Sequence, residues 1–200
     1  NIGGGVYQMP YRPTPLSFKV DGKTYFNERP ISTQQTAFTF VSQLRSWLPR
    51  EIGGITWFGN DDANMVAYTP VYCNNTVVPE CYNTPDADAV TFSDKNAFWV
   101  CNWVSNMVYP RYSLMFPSLK AVRDSLDQSY FAQQAEVEAR AVELCKTSEE
   151  EAVKYLNTYS NTKAQQMLER WKELAFYLIV KYNDMAVKPD QNGKFLRTKE

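Results

Sequence analysis

"GGITWFGNDDANMVAYTPVYC", residues 53–73, decides how the first half of this sequence folds. Two apolar runs, GGITWFG and MVAYTPVYC, flank a polar tip made of Asn60, Asp61, Asp62 and Asn64. Aromatic and β-branched runs separated by turn formers read as neighbouring antiparallel strands. Asn and Asp bond their own backbone in turns, so the tip reads as the turn that joins them. The rival reading is a calcium loop, which needs oxygen ligands at alternating positions, a central glycine and a closing glutamate. The tip lacks that pattern, so no metal or other cofactor is expected.

The same texture extends upstream. LSFKV and KTYFNE flank Asp21-Gly22, a pair suited to the two left-handed positions of a type I′ turn. In TAFTFVSQL, residues 36–44, Phe38 and Phe40 fall on one face of a strand and Thr39 and Val41 on the other. An antiparallel unit of about four or five strands is predicted. From Ser93 the pattern turns helical. Ser93 and Asp94 suit a helix start, and AFWVCNWVSNMVY is apolar nearly all round, as in a helix sandwiched in a core. A second helical stretch is predicted over residues 118–146, broken near Ser129 where its apolar stripe weakens. Ser148 and Glu151 form a capping-box pair. A last helix over residues 162–184 carries Ala164, Leu168, Trp171, Ala175, Leu178 and Tyr182 on one stripe, before a frayed tail at Asp190, Asn192 and Gly193. The fold class is α+β, one unit over residues 1–200, strand-rich over 1–92 and helical over 93–200.

Composition removes whole classes of chemistry. With 0 histidines, Ser-His-Asp and Cys-His catalysis and histidine-bearing zinc sites are excluded within the chain. A general base must be a carboxylate, a lysine, a tyrosine or a terminal amine, or come from another chain. The 21 basic and 22 acidic residues show no basic cluster, which argues against nucleic acid or an anionic membrane as partner. No apolar run is long enough to span a bilayer, and NIGGGVYQMP has neither the basic start nor the apolar stretch of a signal peptide. An opening of Asn-Ile-Gly-Gly-Gly reads as a piece cut from something longer. Cys73, Cys81, Cys101 and Cys145 are spaced too irregularly for a zinc knuckle or a redox pair. They are expected as buried free thiols, with a Cys73–Cys81 bridge as the alternative in an oxidising compartment.

One segment stands out as a candidate site. Thr33, Gln34, Gln35 and Thr36 set four hydrogen-bonding side chains at the mouth of an apolar strand, with Arg45 at its far end. As structure they satisfy a sheet edge and a surface ion pair. As a site, amides and a guanidinium orient a peptide carbonyl or carboxylate. Gln34, Gln35 and Thr36 are therefore the substrate-binding candidates. Trp99, Trp103 and Trp171 lie on helical core stripes and read as packing. Asn74-Asn75-Thr76 matches a glycosylation sequon, a pattern common by chance.

RPISTQQTAFTFVSQLRSWLPREIGGITWFGNDDANMVAYTPVYCNNTVVPECY, followed by FSDKNAFWVCNWVSNMVYPRYSLMFP, resembles the C-terminal half of a bacterial dipeptidase of the dipeptidase A and secernin family, cysteine-type N-terminal nucleophile hydrolases. The resemblance runs from about Met9 to Pro117. It implies an αββα sandwich whose nucleophile is a cysteine freed at the mature N-terminus, with that residue's own α-amine as base. Residue 1 is Asn and each cysteine is internal, so the nucleophile is expected outside this chain, in a missing N-terminal portion of the same protein. Related hydrolases use an asparagine and an arginine for oxyanion binding and charge stabilisation, and Asn60 and Arg45 are the candidates by type and placement. The leading reading is the C-terminal part of a bacterial cytoplasmic or periplasmic dipeptidase, inactive alone, acting on dipeptides or small peptides. A non-catalytic peptide- or glycan-binding module is the alternative, and an assembly domain forming a homo-oligomer the third.

Overall fold

Asp21 (φ 49°) and Gly22 (φ 76°) both take left-handed backbone, as the Asp-Gly pair predicts, and fold β1 (Leu16–Val20) back on β2 (Lys23–Glu28). A computed structural model describes residues 5–10 and 16–197. The second sheet is β3 (Phe38–Leu44), β4 (Gly54–Asn60) and β5 (Thr69–Tyr72), antiparallel in that order. The first half thus holds five strands among the described residues, divided between a hairpin and a three-stranded sheet where one unit was expected. A single helical turn, α1 (Arg50–Gly53), links β3 to β4.

Register fixes which side of the sheet is dry. Phe38 pairs with Asn60, Phe40 with Phe58, Val41 with Trp57 and Gln43 with Ile55. Ile55, Trp57 and Gly59 are buried, whereas Thr56, Phe58 and Asn60 are partly exposed, the alternation of a strand covered on one face. Gly59 is required on the buried side: a Cβ there would stand 2.7 Å from Cγ2 of Val66. MVAYTPVYC is strand only over its last residues. Met65, Val66 and Ala67 leave the sheet and enter a helical core instead.

Three helices cover the dry face. In α2 (Ala97–Val108) the N-cap is Asn96, whose Oδ1 accepts from the Trp99 amide at 3.3 Å. Ser93 Oγ accepts from the Lys95 amide at 3.3 Å, ahead of the helix, so the predicted cap moves three residues on. α3 (Tyr112–Cys145) runs unbroken for 34 residues, through Pro117 in its second turn and past Ser129. Its stripe weakens near Ser129 because the helix passes from one core to another. Met115 and Leu119 pack with Met65, Val104 and Trp171, whereas Tyr130, Val137 and Ala141 pack with Ile55, Trp57 and Tyr72 of the sheet.

Ser148 Oγ accepts from the Glu151 amide at 3.2 Å and starts α4 (Glu149–Tyr182), also 34 residues, so the separate start and final helix are one element. α4 returns antiparallel along α3: Tyr130 Oη donates to Lys163 O at 3.2 Å, and Tyr182 Oη to Leu114 O at 3.1 Å. The predicted stripe from Ala164 to Tyr182 is buried throughout. Trp171 is fully buried, while Trp99 and Trp103 are half-buried beside Phe92. The tail is ordered: β6 (Asp190–Gln191) pairs with β7 (Lys194–Phe195), and Lys181 Nζ donates to Asp190 Oδ1 at 2.6 Å. The fold is α+β, antiparallel sheets with helices packed on them. Among the described residues no helix is long and apolar enough to cross a membrane.

Candidate functional site

The first strand of the three-stranded sheet begins where the second ends, so the Thr33–Thr36 mouth and the acidic tip meet at one end of it. Asp61 N donates to Ala37 O at 2.9 Å, extending the ladder one step beyond Phe38 and Asn60. Ser32 Oγ donates to Asp62 Oδ1 and accepts from the Asn64 amide at 3.2 Å. Within the mouth, Thr36 N donates to Thr33 O at 3.1 Å and Thr33 Oγ1 to Gln35 Oε1 at 2.7 Å. Gln34 and Thr36 are half-buried and Gln35 is exposed.

The tip is a turn, and it is also more than one. Asp62 behaves as turn chemistry predicts: the Asn64 amide donates to its Oδ1 at 3.0 Å and the Met65 amide to its carbonyl at 2.8 Å. Yet Asp61 and Asp62 are both 0% exposed, which a plain surface turn does not explain. Helix α2 lies over them. Tyr109 Oη donates to Asp62 Oδ2 at 3.0 Å, and Asn102 Nδ2 reaches Asp61 Oδ1 at 3.5 Å. Helix α3 bolts the other side. Arg123 Nη1 donates to Asn64 O at 2.6 Å, Asn64 Nδ2 donates to Tyr112 Oη at 3.0 Å, and the Tyr68 amide donates to Asp127 Oδ1 at 2.9 Å.

The two carboxyls differ in what they lack. Asp62 accepts from Ser32, Tyr109 and the Asn64 amide. Among the described residues, by contrast, Asp61 Oδ2 is buried without a hydrogen-bond partner, as are Asn60 Oδ1 and Ser105 Oγ. Asp61 also holds φ at 79°, left-handed backbone that a side chain adopts at a cost and that gathers at functional sites. Burial pushes the Asp61 carboxyl up to about 6. The nearby Ser105 hydroxyl, the Asp62 amide and Asn102 pull against that rise, and the Asp62 charge adds to it. A carboxyl titrating there exchanges its proton closer to neutral pH than a solvated one.

A test of that burial follows from linkage. The folded state binds the Asp61 proton more tightly than the unfolded chain, where Asp titrates near 3.9. Stability from this group is therefore complete below about pH 4 and is lost as pH rises through about 6. Asp61→Asn removes the titration. Relative to wild type the variant should gain about 1–3 kcal/mol between pH 4 and pH 7.5, read from urea midpoints. A difference that does not change with pH would mean that the carboxyl is not desolvated.

Arg45 is elsewhere. It follows the last residue of β3, roughly 23 Å along the strand from Phe38, and is 7% exposed. Its guanidinium pairs with Glu138 of α3, donates from Nη2 to Ile52 O at 2.9 Å and from Nε to Gly53 O at 3.4 Å. The surface ion pair expected here is buried, and it latches sheet to helix. The structure thus joins Asn60 to the Gln34, Gln35 and Thr36 segment and separates Arg45 from it. Asp61, Ser105 and Asn102 were missed because local turn chemistry says nothing of a helix arriving some forty residues later.

All four cysteines are free thiols, with Cys81 and Cys101 buried as expected, Cys73 exposed and Cys145 between. Burial pushes the Cys81 thiol up to about 12 and raises Cys101 and Cys145, which disfavours the thiolate at each. Among the described residues no group of three or more Asp, Glu or Cys side chains is arranged to hold a metal ion.

A family model described as Peptidase family C69 matches residues 9–125, which include Ser32, Asn60, Asp61, Asp62, Asn64, Asn102, Ser105, Tyr109, Tyr112 and Arg123 and stop short of Asp127. The chain belongs to peptidase family C69. That is the dipeptidase A and secernin family of the resemblance, and it makes the chain part of a peptidase lineage. Among curated proteins none matches this C69 chain. The C69 match takes in the β1–β2 hairpin, the β3–β4–β5 sheet, α2 and the first turns of α3, and stops short of α4.

Proposed function

We propose that this chain is the C-terminal part of a dipeptidase whose nucleophile is an N-terminal cysteine outside these residues. One observation carries the reading: the C69 match falls on the segments that build the buried polar cluster at the end of β4. The thiolate attacks the dipeptide carbonyl carbon, with the α-amine of its own residue taking the thiol proton. The C–N bond then breaks, the leaving amine takes a proton, and a thioester remains. Water adds to the thioester, releasing the acid and restoring the thiol. A free α-amine as base suits a chain without histidine.

The residues here act around that centre. Asn60 faces the tetrahedral oxyanion and donates to it, while Gln34, Gln35 and Thr36 orient the peptide carbonyl and terminal carboxylate. Asp61 stands behind Asn60 as a proton-exchanging carboxyl. Arg45 holds the far end of the β3–β4 pair to α3. The outer sheet face supports an αββα sandwich: Phe38 and Phe40 are 55% and 58% exposed, Leu44 is also exposed, and the Phe38 and Phe58 rings stack at 6.1 Å. A second sheet from the N-terminal portion covers such a face.

The test is dipeptide hydrolysis. The full-length protein should cleave dipeptides, and it should lose the activity when its N-terminal cysteine becomes alanine. The 200-residue chain alone should be inactive. Hydrolysis by this chain alone, or full activity in the cysteine variant, would sink the proposal. Specific peptide affinity with no hydrolysis at all would favour a binding module.

A further inference from the structure

On the same outer sheet face, toward β5, a cavity of about 410 Å³ opens between the sheet and the loop after Cys73. Phe58, Val71, Val77, Val78 and Pro79 make its walls apolar. Tyr82 closes one side, its ring edge-on to Phe58 at 5.0 Å. The size lies within the range of small-ligand sites. Thr56, Cys73 and Asn75 add polar atoms to the lining. Among the described residues neither Nδ2 nor Oδ1 of Asn75, both buried, has a hydrogen-bond partner, a costly state for an amide donor and acceptor together. Its neighbour Asn74, the sequon residue, is by contrast engaged, donating from Nδ2 to Arg50 O at 2.9 Å.

We infer that this cavity binds an aliphatic amino-acid residue flanked by amides, with the side chain against Val77 and Val78 and the backbone paired to Asn75. The N–H and C=O of one extended residue point to the same side, as strand pairing shows. A side-chain amide answers both at once: Nδ2 donates to the ligand carbonyl and Oδ1 accepts from the ligand N–H. A charged side chain is disfavoured by the apolar wall.

Position ties the cavity to the proposed chemistry, and to that extent the inference rests on the dipeptidase reading. Asn60, Phe58 and Thr56 share one face of β4 by alternation, and Phe58 is two residues from Asn60. Two residues of strand span roughly 7 Å, about the reach of an extended dipeptide. A peptide with its scissile carbonyl at Asn60 therefore lays the adjoining side chain in the cavity, which becomes a specificity pocket for aliphatic residues.

The experiment is an NMR titration of the full-length protein with N-acetyl-L-leucinamide, which carries the side chain and both amides. Saturable binding is expected, weakened about tenfold or more by Asn75→Leu and by Val78→Asp. Val78 is 61% exposed, so its substitution keeps the fold even if the Asn75 variant does not. Absence of saturable binding, or affinity unchanged in Val78→Asp, overturns the pocket. Leucinamide binding by a protein that hydrolyses no dipeptide leaves the pocket standing while the dipeptidase reading falls, and hydrolysis without leucinamide binding does the reverse.

Discussion

Arg45→Met is expected to lower folding stability by about 3–5 kcal/mol, because it leaves the Glu138 charge buried without its cation. The two side chains are 5% and 13% exposed, so little water is there to screen what remains. Glu138 keeps its hydrogen bonds from Tyr72 Oη at 3.1 Å and Gln134 Nε2 at 3.0 Å, but neither brings a positive charge. The Ile52 carbonyl loses its guanidinium donor as well, while the Gly53 carbonyl loses Nε and keeps the Arg45 amide at 2.8 Å. Replacing both partners, as Arg45→Met with Glu138→Leu, should restore most of the loss, since an apolar pair of similar volume avoids the desolvation cost. Denaturant midpoints of the two variants decide it. A single variant within about 1 kcal/mol of wild type would show the latch to be dispensable.

The second large effect concerns catalysis. Asn60→Ala in the full-length protein is expected to cut kcat on a dipeptide about 10²–10³-fold, the usual loss on removing one oxyanion donor. KM should move little, because the bond is made to charge that develops only in the transition state. Asn60→Asp should fare no better, since its carboxylate repels the oxyanion. A loss confined to KM would assign Asn60 to ground-state binding instead. Unchanged kinetics would remove it from the site.

Much of this architecture is legible in the amino-acid order, and the exceptions share a cause. Asp21-Gly22 specifies its turn because two left-handed residues in succession suit few other pairs. The stripe from Ala164 to Tyr182 and the Ser148 cap are equally local, and both stand where the pattern places them. The predicted break at Ser129 arises from reading one stripe against one core. α3 serves two cores in succession, and a periodicity that changes partner looks like one that fails. Ser93 and Asn96 are both good caps, and only the packing of Ala97 and Val100 selects the later one.

The candidate site divides in the same way. Residue type suffices to pick out Asn60 and the Gln34, Gln35 and Thr36 segment as polar groups at strand ends. It does not reveal that the two adjoin, since that depends on the Phe38 and Asn60 register. Arg45 at a strand end looks available until Glu138, 93 residues away, comes to meet it. Asp61 is hidden most thoroughly, because the same letters that make a turn on the surface make a desolvated acid beneath α2.

The family match ends at residue 125, between Arg123, which donates to the Asn64 carbonyl, and Asp127, which accepts from the Tyr68 amide. Beyond Asp127, α3 packs on the sheet through Tyr130, Val137 and Ala141 and meets Arg45 through Glu138. One rod therefore braces both ends of the three-stranded sheet, the polar turn near its start and the buried Arg45 ion pair further along.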